Sequence, residues 1–156
     1  FDLDKLVQTV KFFAIKDNKL YKLKLMKYLW YSDFLHFKRH TVSINGLRYA
    51  HLPIGPAPDR HDLLIALLLE QSDHIFREYE DFGYEHPGEK FKAVGPLDDS
   101  LFDEEELITL NDVYESLNHH SGMSGSDYSH QESAWLKTTN GELISYEFAK
   151  ELSLIH

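Results

Sequence analysis

Residues 20–38 restrict the fold more than any other segment, because apolar side chains cover nearly the whole circumference of the helix that they predict. One stripe at helical spacing comprises Leu23, Met26, Trp30, Phe34 and Phe37. A second set, which fills most of the remaining surface, comprises Leu25, Tyr28, Leu29, Tyr31 and Leu35. A helix that is apolar on all sides is usually buried among its neighbours. We therefore predict a helix from about Leu20 to Lys38 at the centre of the domain.

Two turn signals follow this helix. Asn45-Gly46 is a strong signal for a two-residue β-hairpin, because a type I′ turn needs positive φ at both central residues. It predicts strands over residues 41–44 and 47–52, and Pro53 closes the second strand because proline cannot donate to a ladder. Residues 55–58, Gly-Pro-Ala-Pro, predict a stiff corner, since proline fixes φ and glycine permits unusual backbone angles.

The remaining chain alternates between helical and strand patterns. Helices are predicted after a cap at Asp2 or Asp4, over residues 59–71, after a cap at Ser100 or Asp103, and after a cap at Ser145. The run Leu63–Leu69 makes the second of these a mostly buried helix. Residues 74–95 predict a strand pair, and residues 119–129 a Gly/Ser loop. The sequence thus predicts a single α+β domain over residues 1–156, mainly helical, with a buried aromatic central helix and small antiparallel β-hairpins.

Composition excludes several classes of protein and site. The chain has no cysteine, which rules out disulfides and Cys-based zinc sites and fits a cytoplasmic location. Its formal net charge of −10 repels a phosphate backbone, so we expect a basic partner and no direct nucleic-acid binding by this segment. No run reaches the roughly 18 apolar residues of a membrane span, so no membrane partner is expected. No motif implies a cofactor. Because the chain begins at Phe1, we expect a further module upstream.

Ten histidines make a metal site the main alternative. Asp33, His36 and His40 share a helix face at spacings i, i+3 and i+7, and histidine with carboxylate suits zinc or another divalent ion. The same histidines near a helix C-terminus also interact favourably with the helix dipole when no metal is bound. Together with His130, these residues define an alternative function, that of a metal-dependent hydrolase.

Three further patterns each allow two interpretations. Ser129 and His130 could be a nucleophile and its base, but the sequence shows neither an orienting carboxylate nor an oxyanion hole; otherwise Ser129 caps a turn and Trp135 packs on the core. Gly55-Pro56 lacks the lysine and spacing of a phosphate loop, and is either a structural corner or a preorganised patch for a partner. The acidic segment 98–106 is either a solvated face or a docking site for a basic protein.

Three segments carry a resemblance to a known family. They are KLMKYLWYSDFLHFK, SINGLRYAHLPIGPAP and, near the end, SHQESAW. In this order they resemble the SocA-like antitoxin domain, also called the Panacea domain, which has an aromatic helix of the type K-L-L-Y-F-A-D-F, then S-I-T-G, a tyrosine, G-P-V-P and a late Ser-His with a following Trp. The resemblance covers about residues 3–150. Departures from the family pattern are Thr41, His51 and Ala57.

The resemblance implies a compact, mainly helical domain from a bacterial or prophage two-gene toxin–antitoxin system. It implies a cognate toxin as partner, bound directly, and a protease as a second partner where the antitoxin acts as an adaptor. It prescribes no catalytic residue, so the chain is not expected to be an enzyme. Some relatives carry a DNA-binding module before this domain, and the sequence leaves a homodimer open. The positions that match the motif are Tyr31, Asp33, Phe34, Lys38, Ile44, Gly46, Tyr49, Leu52, Gly55, Pro56, Pro58, Ser129, His130 and Trp135. All of them except Ile44 and Leu52 are expected to form the site.

Overall fold

A computed structural model describes residues 1–156 and confirms a mainly helical α+β fold with small antiparallel sheets. The helices are α1 (Leu3–Lys16), α2 (Lys22–His40), α3 (His61–Gln71), α4 (Glu104–Leu117), α5 (Gly122–Ser129) and α6 (Ser133–Leu136). The strands are β1 (Tyr49–Leu52), β2 (Gly55–Pro58), β3 (Ile75–Glu80), β4 (Gly88–Ala93) and β5 (Leu143–Ile144). Two 3-10 helices span Asp99–Leu101 and Tyr146–Glu151. No helix combines the length and apolar character needed to cross a membrane.

Helix α2 forms the centre of the molecule, as its apolar circumference predicts. Residues 24–36 of this helix are all buried. They pack against α4, α5, β2 and the C-terminal 3-10 helix, with α1 on a further side. The ring of Phe13 from α1 stacks on Tyr28 of α2 with a centroid distance of 4.2 Å. The core therefore surrounds α2, and the other elements are positioned by it.

Helix starts are set locally, as the cap residues predict. Asp2 accepts the N–H of Lys5 at the start of α1, and Ser145 accepts the N–H of Glu147 at the start of the last 3-10 helix. At the start of α4, Asp103 and Glu106 form a reciprocal capping box. Each of these side chains satisfies a backbone N–H group that the first helical turn leaves free.

The hairpin predicted at Asn45-Gly46 is wrong. Gly46 does adopt a positive φ of 67°, but residues 41–48 form no strand. The backbone N–H groups of Ile44 and Asn45 donate instead to the Asp33 carboxylate of α2, so they are not available for a ladder. The hairpin forms one step later, where β1 and β2 pair antiparallel around residues 53–54.

The stiff corner predicted over residues 55–58 is strand β2, the edge of a sheet with the order β2-β1-β5. In an antiparallel ladder, hydrogen-bonded and non-hydrogen-bonded residue pairs alternate. Because Asp59 N–H donates to Arg48 O, the pairs that contain Pro56 and Pro58 are the non-hydrogen-bonded ones. The missing N–H groups of the two prolines would have pointed away from β1. Proline is tolerated in an edge strand at such positions, which is why this segment can be a strand.

Two other expectations about helices are corrected. Helix α3 is not mostly buried, because only Ile65 and Leu68 are enclosed and Leu63 is 62% exposed. The segment 119–129, predicted as a loop, contains helix α5, whose start is capped by Ser121. Its small residues allow α5 to approach α2 closely, since a Cβ on Gly122 would lie 2.8 Å from the Leu23 Cβ. Glycine and serine here serve helix packing rather than chain flexibility.

The strand pair predicted over residues 74–95 is confirmed as β3 and β4, which pair antiparallel over six residues each. The outer edge of β4 is covered by the chain just before α2, because Phe91 N–H donates to Leu20 O and Tyr21 forms a bridge with Lys90. Phe91 is buried against the core, and α1 packs on this strand.

Candidate functional site

The motif residues are arranged around several centres, and the first of these is Asp33 on α2. Its side chain is fully buried, and one carboxylate oxygen accepts the N–H groups of Ile44 at 2.9 Å and Asn45 at 2.7 Å. The other oxygen accepts the hydroxyl of Tyr49 at 2.7 Å. Burial raises the pKa of Asp33 to about 6, although the three hydrogen bonds oppose this by favouring the ionised form. Asp33 therefore fastens the loop containing Gly46, and the start of β1, onto α2.

Aromatic rings close this cluster from the other side. Phe34 stacks on Tyr146 with a centroid distance of 4.7 Å and meets the Tyr49 ring edge-on at 5.8 Å. The Tyr146 hydroxyl donates to Leu47 O at 2.6 Å. Tyr146 thus ties the C-terminal 3-10 helix to the same loop. Sequence reasoning missed this residue, since its only signal was an aromatic position in a helix predicted to pack on the core.

Lys27, Gly55, Pro56 and Ser129 form a second centre between α2, β2 and α5. The Lys27 side chain is only 1% exposed, and its Nζ donates to Pro56 O at 2.6 Å. Gly55 has a φ of 102°, and a Cβ there would lie 2.6 Å from Ser129 Oγ and 2.9 Å from Lys27 Nζ. Burial without a carboxylate partner lowers the pKa of Lys27 to about 7. The glycine is therefore required by both the backbone angle and the space.

Trp135 lies between two imidazole rings. His51 stacks on it at a centroid distance of 3.4 Å and His130 at 4.1 Å, with interplanar angles of 13° and 15°. His51 Nδ1 lies 2.8 Å from Thr138 Oγ1, whereas the buried Nε2 of His130 has no hydrogen-bond partner. Burial lowers the pKa of both histidines, and the nearby Lys27 lowers that of His130 further. This stack joins β1, α5 and α6.

Tyr31 and Glu132 form the third centre, which holds the C-terminal segment. Glu132 is fully buried and accepts the Tyr31 hydroxyl at 3.0 Å, the N–H and hydroxyl of Ser153 at 2.9 and 3.1 Å, and the N–H of Leu154 at 3.3 Å. Lys38 donates to Leu152 O at 2.5 Å. Residues 152–156 are thus fixed to α2 and α6 although they contain no helix or strand.

Glu132 and Lys27 were not among the residues expected to form the site. Glu132 lies inside the segment SHQESAW, and Lys27 lies inside an otherwise apolar helix. A lysine within a helix that is apolar on all sides must be buried, and a buried amine must find an acceptor. That argument could have identified Lys27, but its acceptor, a proline carbonyl 29 residues away, has no local signal.

The structure does not assemble the residues of the alternative metal site. No group of three or more histidine or carboxylate side chains is placed to hold a metal ion, so Asp33, His36, His40 and His130 do not form the predicted cluster. His36 Nδ1 lies 2.9 Å from Thr109 Oγ1, and Asp33 is occupied by the loop. The proposed nucleophile and base are also separate in function: Ser129 donates to Ser126 O, while the His130 ring stacks on Trp135.

The motif residues thus lie in these three centres and in the stack on Trp135, and most of them are enclosed. Pro58 is buried with the rest of β2, whereas His130 and Trp135 are partly exposed and Lys38 is exposed. In these clusters the polar side chains connect α2 to the loop, to β2 and α5, and to the C-terminal segment. Such an arrangement fixes the shape of the domain.

The family described as Antitoxin SocA-like, Panacea domain, matches residues 25–136. This range runs from the first turn of α2 to the end of α6. It includes Asp33, Lys27 and Glu132, but not Tyr146 or the C-terminal residues 152–156. No curated protein and no solved structure gave a significant match. On the strength of the family match, which covers more than half of its length, the chain belongs to the SocA-like antitoxin family defined by the Panacea domain.

Proposed function

We propose that this domain is an antitoxin that neutralises a cognate toxin by binding it directly. The observation that carries the proposal is the family match over residues 25–136, which spans the central helix and the elements fastened to it. The family description supports an antitoxin role, and direct binding is our extension of it. We propose further that the chain belongs to a two-gene bacterial or prophage toxin–antitoxin system.

The geometry supports binding rather than catalysis. Asp33, Lys27 and Glu132 are enclosed, and each holds a backbone segment through hydrogen bonds. These groups rigidify the domain and are not arranged around a free cavity. A surface held rigidly before association loses less conformational entropy on binding, which favours a tight complex with another protein.

The charge of the chain supports a basic partner. The formal net charge is −10, and the segment that begins helix α4 presents Asp103, Glu104 and Glu105 near its first turn. Complementary charge speeds association and discriminates against acidic competitors. We therefore propose a toxin with a basic contact surface. The adaptor activity implied by the family would add a later step, in which the bound toxin is passed to a protease.

The test is co-expression with the product of the neighbouring gene, with both proteins under foreign promoters so that operator binding cannot contribute. We expect the neighbour alone to arrest growth, and the pair to grow and to co-purify as a stable complex. A shorter half-life of the toxin in the presence of this chain would support the adaptor step. A harmless neighbour, or toxicity that persists without co-purification, would overturn the proposal.

A further inference from the structure

The free edges of the two sheets differ in their capacity to accept another strand. The outer edge of β2 has no N–H donors at its outward positions, because these are Pro56 and Pro58, and the Pro56 carbonyl is already bound by Lys27. The outer edge of β4 is covered by the chain at Leu20 and Tyr21. Strand β5 is only two residues long. Three of the four sheet edges are therefore blocked or short.

The outer edge of β3 is open. The bond from Val94 N–H to His74 O sets the alternation of the β3–β4 ladder, so the backbone groups of Ile75, Arg77 and Tyr79 point away from β4. None of these groups bonds to another segment. The strand is six residues long, contains no proline and keeps a continuous register without a bulge, so it lacks two of the devices by which natural proteins usually protect an edge. Its three charged side chains, Arg77, Glu78 and Glu80, are each paired with a residue of β4.

The side chains beside this edge suit an extended apolar segment. Phe76 is 47% exposed and Tyr79 is 58% exposed, and with Leu69 and Ile75 they line a shallow groove along the strand. Helix α3 packs against β3 and contributes Leu69 to this groove. Residues 59–85 contain eight carboxylates, two arginines and no lysine. Lysines outside this segment pair with three of the carboxylates, Asp62, Glu78 and Glu80. The other five have no ion-pair partner, so the surroundings of the edge keep an excess of negative charge. Arg77 is itself paired with Glu89.

We propose that the β3 edge is the docking site for an extended, basic and partly apolar segment of a partner protein, which adds to the sheet as a further strand. Backbone bonds to Arg77 and Tyr79 hold the added strand, the groove takes its apolar side chains, and its lysines or arginines face the surrounding carboxylates. The identification of that partner as the toxin rests on the proposed function. The edge itself is a property of the sheet.

Charge favours such a partner over a second copy of this chain. In an antiparallel pairing of two β3 edges, the two acidic regions around residues 59–85 would face each other. Like charges placed opposite one another destabilise a strand pair. Self-association through this edge would be detected as a dimer of the purified chain, and it would overturn the proposed occupant.

The decisive variant is Arg77→Pro, with Arg77→Ala as its matched control. Both remove the side chain and its ion pair with Glu89, but only proline removes the outward N–H and places a ring on the edge. The ladder to β4 keeps its bonds, because residue 77 donates none to it, as at Pro56 and Pro58 in β2. In co-expression with the neighbouring gene product, we expect Arg77→Ala to rescue growth and co-purify like wild type. We expect Arg77→Pro to fold and yet to lose affinity by about tenfold or more.

A second measurement does not depend on the toxin. A synthetic hexapeptide of alternating lysine and valine is titrated onto the wild-type chain, and a glutamate–valine hexapeptide is the charge control. We expect only the basic peptide to slow amide hydrogen exchange at Arg77 and Tyr79, and we expect no such slowing in Arg77→Pro at the neighbouring Tyr79.

The outcomes separate the two proposals. If Arg77→Pro rescued growth and co-purified as strongly as wild type, the proposal that the β3 edge is a docking site would be overturned. The antitoxin proposal would stand. Failure of the wild-type chain to rescue growth, with amide protection by the basic peptide, would overturn the antitoxin proposal and leave the edge as a strand-binding site. No rescue and no protection would overturn both. Equal protection by the two peptides would overturn the charge preference of the edge.

Discussion

Lys27 Nζ lies 2.6 Å from the carbonyl oxygen of Pro56, and this is the one hydrogen bond of an amine that is 1% exposed. The contact satisfies an outward carbonyl of an edge strand whose prolines remove the outward donors. Strand β2 can therefore be buried against α2 without a neighbouring strand on that side. Burial destabilises the charged form of Lys27 and so lowers its pKa to about 7.

This lowered pKa predicts that stability rises with pH above neutrality. Between pH 7 and 10 the unfolded chain holds a proton on Lys27 that the folded chain has released. The free energy of unfolding should therefore increase by up to about 1.4 kcal/mol per pH unit from this group. Urea unfolding at pH 7.5, 8.25 and 9 measures the slope, and Lys27→Met should reduce it by that amount. An identical slope in Lys27→Met would contradict the prediction.

Asp33 predicts the opposite pH dependence in a lower window. Its folded pKa of about 6 exceeds the ordinary 3.8, so between pH 4 and 6 the folded chain holds a proton that the unfolded chain has lost. The contribution of Asp33 to stability therefore falls as pH rises through this window, by up to about 1.4 kcal/mol per unit. Asp33→Asn should remove that fall. The measurement is the difference in unfolding free energy between wild type and Asp33→Asn at pH 4, 5 and 6.

Two substitutions at Asp33 should also differ sharply at pH 7. Asparagine can accept the N–H groups of Ile44 and Asn45 through its oxygen, and its amide can donate to Tyr49 while that hydroxyl donates to Leu29 O at 2.8 Å. We expect Asp33→Asn to stay within about 1 kcal/mol of wild type. Asp33→Ala leaves the buried N–H groups of Ile44 and Asn45 without an acceptor and should cost about 3 kcal/mol or more. Equal stability of the two variants would show that the loop is not held by this side chain.

Gly55 should tolerate no side chain. Gly55→Ala would place a Cβ 2.6 Å from Ser129 Oγ and 2.9 Å from Lys27 Nζ, at a φ of 102° that disfavours L residues. We expect a cost of about 2–4 kcal/mol from backbone strain and overpacking. Gly83 is the matched control, because it has a φ of 83° and a Cβ added there would meet nothing within 4 Å. Gly83→Ala should cost only about 1–2 kcal/mol, and thermal unfolding of both variants tests the difference.

What the sequence predicted correctly depends on short-range or periodic information. The apolar circumference of α2 places it at the centre, and the acid at Asp103 marks the start of α4, because each signal lies within a few residues of its effect. The hairpin predicted at Asn45-Gly46 does not form, although Gly46 has the expected positive φ. The reason is that Asp33, on the preceding helix, accepts a backbone N–H group that a strand ladder would need. The prediction that α3 is mostly buried was wrong for another reason. The apolar run of residues 63–69 favours burial, but the extent of burial depends on how many elements pack on the helix.

The roles of the motif residues could also be predicted only in part. Their resemblance to a family located the right segments, and the family match covers them. It gave no indication that Asp33 holds a loop, that the two prolines lie in a strand, or that Glu132 binds the chain some twenty residues later. These roles depend on hydrogen bonds between distant segments, and a single sequence contains no pattern that pairs such segments.

Glu132 should control the attachment of residues 152–156. Its two oxygens accept the N–H groups of Ser153 and Leu154, together with the hydroxyls of Ser153 and Tyr31, in a fully buried position. Glu132→Ala leaves these donors without their acceptor and should cost about 3 kcal/mol or more. The amide exchange of Ser153 and Leu154 should accelerate more than that of α2, because the segment has no helix or ladder bonds of its own.

Glu151→Ala is the control for this prediction, since it removes a neighbouring carboxylate that is paired with the exposed Lys137. A surface ion pair of this kind contributes little, so the change should cost less than about 1 kcal/mol and leave exchange at Ser153 and Leu154 unaltered. If Glu132→Ala left the exchange of these two amides unchanged, the segment would be held by its own packing, chiefly that of the buried Ile155, rather than by the carboxylate. Faster exchange in Glu132→Ala alone would identify the carboxylate as the group that holds the tail.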